Sequence, residues 1–131
     1  MNAAAFSRGI VLFAHGARDA RWAEPFERLA GKLRSLADAN TEVSLAFLEL
    51  MTPDLPSAVA AQVAAGCRSI TVVPVFFGQG GHVRRDLPLI IDACRSAHPG
   101  VEIRQATPVG EDDAVLDALA AYCLRQLYSL G

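Results

Sequence analysis

The hydrophobic pattern of this chain switches between two periods four times, always in the same order, and few architectures accommodate that. GIVLFAH (Gly9 to His15) is a short continuous apolar run, as expected of a strand covered on both faces. Trp22, Phe26, Leu29, Leu33 and Leu36 then recur at helical spacing, which predicts a helix over residues 22–37. VSLAFLEL (Val43 to Leu50) reads as a second strand. DLPSAVAAQVAAG reads as a helix capped by Asp54, with Pro56 in its first turn and Gly66 as its stop. SITVVPVFF (Ser69 to Phe77) is the third strand, which should end, bulge or lie at an edge at Pro74, because proline supplies no ladder donor. A third helix is expected from Asp86, with Pro88 in its first turn and Leu87, Ile90, Ile91 and Cys94 facing inward. VEIRQATPV (Val101 to Val109) is the fourth strand. GEDDAVLDALAAYCLRQLYSL is the last helix, its early acids matching the positive end of the helix dipole.

Strands alternating with helices in this way predict an α/β fold. The expected form is three layers, α/β/α, around a four-stranded parallel sheet of order 2-1-3-4, built with right-handed crossovers. At 131 residues the chain is expected to form one domain, residues 1–131. A sheet this small invites a second copy beside it. A formal net charge of −2 and the absence of a basic block give no case for nucleic acid. The N-terminal apolar run is interrupted by Arg8, so neither a signal peptide nor a membrane span is expected. Cys67, Cys94 and Cys123 are widely spaced and odd in number, and read as buried thiols of a cytoplasmic protein.

Three groups with chemistry fall where ligands bind in open parallel sheets, outside the carboxyl ends of the strands. His15 ends the first strand, Glu49 the second, and His82 lies on the glycine-rich segment leaving the third. Two imidazoles and a carboxylate suit a divalent transition metal such as Fe²⁺, Co²⁺ or Ni²⁺, with coordination positions left open. Against this stands the plain reading of each as a hydrogen-bonded or solvated residue, with Glu49 the polar residue of a half-exposed strand. His98, before Pro99 and Gly100, reads as a helix-end cation. Gly78, Gly80 and Gly81 lack the lysine of a phosphate-binding loop, and no nucleotide fingerprint follows the first strand. They form either a turn with a flexible lid or a place where backbone closely approaches a large flat ligand.

LFAHGARD, AFLE and VVPVFFGQGGHVRRDLP, in this order and at these separations, resemble the short CbiX-type class II chelatases, the sirohydrochlorin cobaltochelatase and ferrochelatase family. The likeness runs from Gly9 to about Leu127. It implies a chelatase-like fold with one half-domain per chain and a homodimer whose halves enclose a cleft. It further implies insertion of Co²⁺ or Fe²⁺, or of Ni²⁺ in archaeal relatives, into sirohydrochlorin without ATP, for cobalamin or sirohaem. The family pattern places metal ligation on His15, Glu49 and His82. Ala17 stands where many relatives have serine.

For that reaction, His15 and His82 are expected to ligate the ion and take the pyrrole protons, since imidazole titrates near neutrality. Sirohydrochlorin carries eight carboxylates, so Arg18, Arg21, Arg84 and Arg85 are candidate partners, Arg18 and Arg84 first, together with the backbone at Gly80 and Gly81. The arginines could equally be solvated or pair with Asp19 and Asp86. Phe76, Phe77 and Leu50 are candidate apolar walls. A metal or tetrapyrrole carrier without turnover would use the same residues.

Overall fold

In the computed structural model of the protein, residues 6–78 and 80–128 are described, His82 by its backbone only. Four strands, β1 (Arg8–Ala14), β2 (Thr41–Phe47), β3 (Ser69–Pro74) and β4 (Glu102–Gln105), form one sheet of order β2-β1-β3-β4. All three pairings are parallel, with Phe13 opposite both Ala46 and Pro74. Helices α1 (Glu24–Leu36), α2 (Leu55–Ala64), α3 (Gly81–Ala97) and α4 (Asp113–Tyr128) alternate with the strands. Short 3-10 turns precede α1 (Ala20–Ala23) and α4 (Val109–Glu111).

The main core lies between the sheet and the pair α2 and α3. Val11, Phe13, Ile70, Val72 and Ile103 meet Leu55, Val59, Leu87 and Ile91 there. On the other face, Leu12 and Val43 pack under Ala30 of α1, with Ile10, Val73 and Val75 only partly covered.

Local signals set several boundaries as expected. The Asp54 carboxylate caps α2 by accepting from the Ser57 N–H at 2.9 Å, and Gly66 adopts φ 110° just beyond the helix. β3 stops at Pro74, and the ladder continues for one more bond, from Val75 N–H to the Phe13 carbonyl at 2.8 Å.

Other boundaries differ. The third helix begins at Gly81 rather than Asp86, so Pro88 sits inside it instead of in its first turn. The cause is burial: Val83 and Leu87, four residues apart, are 4% and 0% exposed, and packing them extends the helix toward its glycines. The Pro88 ring faces solvent. β2 ends at Phe47 and β4 at Gln105, both short of the apolar runs that foretold them. Cys67 and Cys94 are buried thiols, but Cys123 is exposed, against expectation, because α4 buries none of its residues.

Candidate metal and tetrapyrrole site

The loops leaving β1 and β2 run side by side past the strand ends. Leu48 N–H donates to the Ala14 carbonyl at 2.9 Å, and Glu49 N–H to the His15 carbonyl at 3.1 Å. His15 and Glu49 are thus hydrogen-bonded neighbours at the carboxyl edge of the two strands. Gly16 makes this possible. It has φ +93°, and a Cβ there would lie 1.8 Å from the Glu49 carbonyl oxygen. Only glycine admits both the dihedral and the contact. Phe47 N–H donates to the Pro53 carbonyl at 2.9 Å, which closes residues 48–53 into a compact excursion. Glu49 and Leu50 are exposed on it, Leu50 with φ 65°.

The half-buried His15 ring rests on Phe76, with centroids 4.7 Å apart and planes at 42°. Phe76 meets Phe13 edge-on at 6.3 Å, so the imidazole is supported from the core. The Phe76–Phe77 backbone is held in turn by the 3-10 turn before α4. Gly110 N–H donates to the Phe76 carbonyl at 3.2 Å, and a Cβ on Gly110 would fall 2.2 Å from Phe77 Cα. Phe77 is 66% exposed and Leu50 58% exposed, two large apolar side chains bared at the same edge of the sheet. The expected apolar walls therefore differ in character: Phe76 supports the histidine, while Phe77 and Leu50 are open to contact.

His82 is the second residue of α3, at the end of the loop leaving β3. Its side chain lies outside the described residues. Among the described residues, no three His, Cys, Asp or Glu side chains are grouped to hold a metal ion. Within that set the structure brings together His15 and Glu49, through their backbones. Gly80 caps α3 in an extended conformation, and a Cβ added to Gly80 or Gly81 would meet nothing within 4 Å. Neither glycine is required by the packing of this chain.

The arginines separate into distinct environments. Arg21 pairs with Asp19 at 2.8 Å, and the Asp19 carboxylate also accepts from the Arg21 N–H at 2.9 Å. These bonds hold the Asp19 carboxyl below the usual range and commit Arg21 to its neighbour. Arg85 donates to the Gly81 carbonyl of its own helix at 3.2 Å. Arg18 is exposed on the loop after His15. Arg84 is exposed and, with Gln105, Thr107 and Glu111, lines an open hollow of about 390 Å³ beside the end of β4. Of the four, Arg21 and Arg85 are thus engaged by groups of their own chain. The clamping roles of Gly16 and Gly110 were not read from the sequence; the histidine-glycine pair closing an apolar run was the available signal for the first.

Comparison with known proteins places this geometry in a family. Residues 9–125 match the CbiX family model. A sirohydrochlorin cobaltochelatase from Sulfurisphaera tokodaii is 30% identical over 111 residues, 85% of this chain and 87% of its own. Its counterpart in Saccharolobus solfataricus is 31% identical over 117 residues, covering 85% and 89%. A solved structure of a CbiX protein of cobalamin (vitamin B12) biosynthesis from Marinobacter aquaeolei VT8 superposes with TM-score 0.79 at 35% identity, over 93% of this chain and 98% of that one. The sirohydrochlorin chelatase SirB of Bacillus subtilis subspecies spizizenii, in complex with cobalt, superposes with TM-score 0.76 at 25% identity, over 88% of this chain and 49% of SirB. The chain therefore spans about half the length of SirB and nearly all of the Marinobacter protein. With a family match along most of its length and a shared fold, this chain belongs to the CbiX family.

Proposed function

We propose that the protein inserts Co²⁺ or Fe²⁺ into sirohydrochlorin without ATP, in cobalamin or sirohaem synthesis. The observation that carries this reading is the Glu49 N–H···O=C His15 bond, which sets the backbones of a histidine and a glutamate side by side at the sheet edge where ligands bind in such folds. The relatives named sirohydrochlorin cobaltochelatase support the substrate, and SirB structures with cobalt and with Fe³⁺ support the choice of metals.

Chelation requires a hydrated ion to shed water and a flat macrocycle to lose two N–H protons. In this reading His15, Glu49 and His82 take the ion as substrate, with positions left open so that ring nitrogens replace water stepwise. Neutral imidazole both binds metal and accepts protons near pH 7, so His15 and His82 serve as ligands and as bases. The support of His15 by Phe76 fixes the ring at little entropic cost. Phe77 and Leu50 offer the macrocycle apolar contact, Gly80 and Gly81 let backbone approach it, and Arg18 and Arg84 pair with its carboxylates. Two copies form the cleft, and the buried Cys67 and Cys94 thiols are consistent with a reducing, cytoplasmic setting.

The test is metal insertion followed by the visible absorption of sirohydrochlorin, under anaerobic conditions with Co²⁺ and Fe²⁺. Many equivalents converted per protein are expected from the native chain, and none above background from His15→Ala or His82→Ala with unchanged circular dichroism. Conversion that stops at one equivalent makes the protein a carrier. Full turnover in either variant removes that histidine from the mechanism.

A further inference from the structure

Beyond β3 the chain leaves the sheet, yet its next two residues are held from opposite sides. Pro74 is the last residue of the strand. Val75 N–H then donates to the Phe13 carbonyl of β1 at 2.8 Å, and the Phe76 carbonyl accepts from the Gly110 N–H at 3.2 Å. Side chains still alternate through this stretch. Val73 and Val75 pack on the α1 side of the sheet, Val72 and Phe76 on the α2 and α3 side. Phe77, the next residue, is 66% exposed. Val75 is therefore anchored to β1, whereas Phe76 depends on the turn Val109–Glu111 that follows β4.

Gly110 is the point at which that turn meets the segment. A Cβ there would lie 2.2 Å from Phe77 Cα, 2.4 Å from its carbonyl oxygen and 2.6 Å from its carbonyl carbon. All three are backbone atoms, which cannot swing aside as the end of a side chain can. Gly16, Gly66 and Gly100 have positive φ, and Gly110 does not. Its dihedral admits alanine, so the close approach alone demands glycine. Phe76 uses this support to fix an imidazole. Its ring contacts those of His15 and Phe13, with centroids 4.7 Å and 6.3 Å away. The Glu49 bond holds the His15 backbone but not its χ1 and χ2; the Phe76 ring restricts those.

We infer that Gly110 is a positioning residue for His15, acting through Phe76. The turn after β4 sets the aromatic ring, and the ring sets the imidazole that receives the metal ion. This assignment rests on the chelatase reading for what His15 does, and adds the source of its orientation. It also separates two adjacent phenylalanines by role. Phe76 acts on the rate through His15, whereas the exposed Phe77 acts on the affinity for the macrocycle. Gly110 holds both assignments in place, because its N–H fixes the Phe76 carbonyl while its bare Cα lies against the Phe77 backbone.

Kinetics, Co²⁺ binding and proton NMR of the full chain test it together. An aromatic pair contributes about 0.5–1.5 kcal/mol beyond burial, which converts to about 2- to 13-fold. Phe76→Leu, which stays apolar but loses the ring, should lower the metallation rate at a fixed, subsaturating Co²⁺ concentration by that factor. The affinity of the protein alone for Co²⁺ should fall equally, with KM for sirohydrochlorin unchanged. Phe77→Leu should do the reverse, raising KM and leaving Co²⁺ affinity unchanged. Gly110→Ala must open its contact by about 1 Å, so the rate should fall by up to about 10²-fold. The decisive readout is the His15 ring C–H signals, assigned by their absence from His15→Ala. The Phe76 ring current displaces them in the parent, and they should return toward unstacked values in both Phe76→Leu and Gly110→Ala. If Gly110→Ala does not fold, Val109→Gly loosens the same turn without adding a Cβ and should move the same signals. His15 signals that stay in place when the turn is altered overturn the inference. So does a Phe76→Leu effect confined to KM, which would make Phe76 a wall of the substrate site. A parent without turnover removes the chelatase reading, and the ring signals and Co²⁺ affinity still decide the role of Gly110 and Phe76.

Discussion

Gly16→Ala perturbs the contact that sets His15 beside Glu49, and its effect can be worked from the backbone. The new Cβ would stand 1.8 Å from the Glu49 carbonyl oxygen. An ordinary carbon–oxygen approach is about 3.3 Å, so the two loops must separate by about 1.5 Å. That breaks the Glu49 N–H···O=C His15 bond, now 3.1 Å. A displacement of about 1 Å in a reacting geometry can cost about 10²-fold, so metal insertion should fall by at least that factor. The φ of +93° adds a left-handed penalty of roughly 1–2 kcal/mol for any residue with a Cβ. For a urea dependence of about 2 kcal/mol per molar, that penalty alone lowers the unfolding midpoint by roughly 0.5–1 M. The control is Gly31→Ala, in α1 with nothing within 4 Å of the added methyl, which should stabilise by about 0.5–1 kcal/mol and leave the rate unchanged. The assays are urea unfolding by circular dichroism and initial rates of sirohydrochlorin metallation. A Gly16→Ala protein with a rate within about twofold of the parent and a midpoint lowered by less than about 0.2 M would refute the claim that this glycine holds the two loops together.

Gly80→Ala and Gly81→Ala should leave the stability from urea unfolding within about 0.5 kcal/mol of the parent's, since the methyl enters open space, while raising KM for sirohydrochlorin; an unchanged KM in both would end the close-approach reading. Asp54→Ala should cost about 1 kcal/mol through loss of the α2 cap, read as a lowered unfolding midpoint at pH 7. The Ser57 hydrogen bonds hold the Asp54 carboxyl below its usual value, so this stabilisation is complete above the unfolded pKa of about 3.9 and disappears as pH falls through the lower folded value. The gap between parent and Asp54→Ala should therefore narrow only in that acid window. Burial raises the Cys67 and Cys94 thiol pKa values, so iodoacetamide should label at most one thiol per native chain and three in urea, counted by mass.

Local chemistry made much of this protein legible in its sequence. A proline ends β3, an aspartate opens α2, and the alternation of apolar runs with helical-period stretches points to a parallel sheet, because dihedral limits and side-chain periodicity act over a few residues; its order, expected as 2-1-3-4 among the few that right-handed crossovers allow, is the one found. The same reasoning placed His15 and Glu49 at one edge, since parallel strands end on one side. Non-local packing decided the rest. Burial of Val83 moved the start of α3 back to Gly81, against the signal of Pro88. Gly16 and Gly110 are each needed because a backbone distant in sequence lies within 2.2 Å of where a side chain would begin, and no local pattern encodes such an approach. The composition of α4 announces a covered helix, and with it a buried Cys123, yet only the tertiary structure shows that its own sheet does not cover it. Periodicity records that a face is apolar; which surface meets that face depends on where the whole chain, or a second one, brings it.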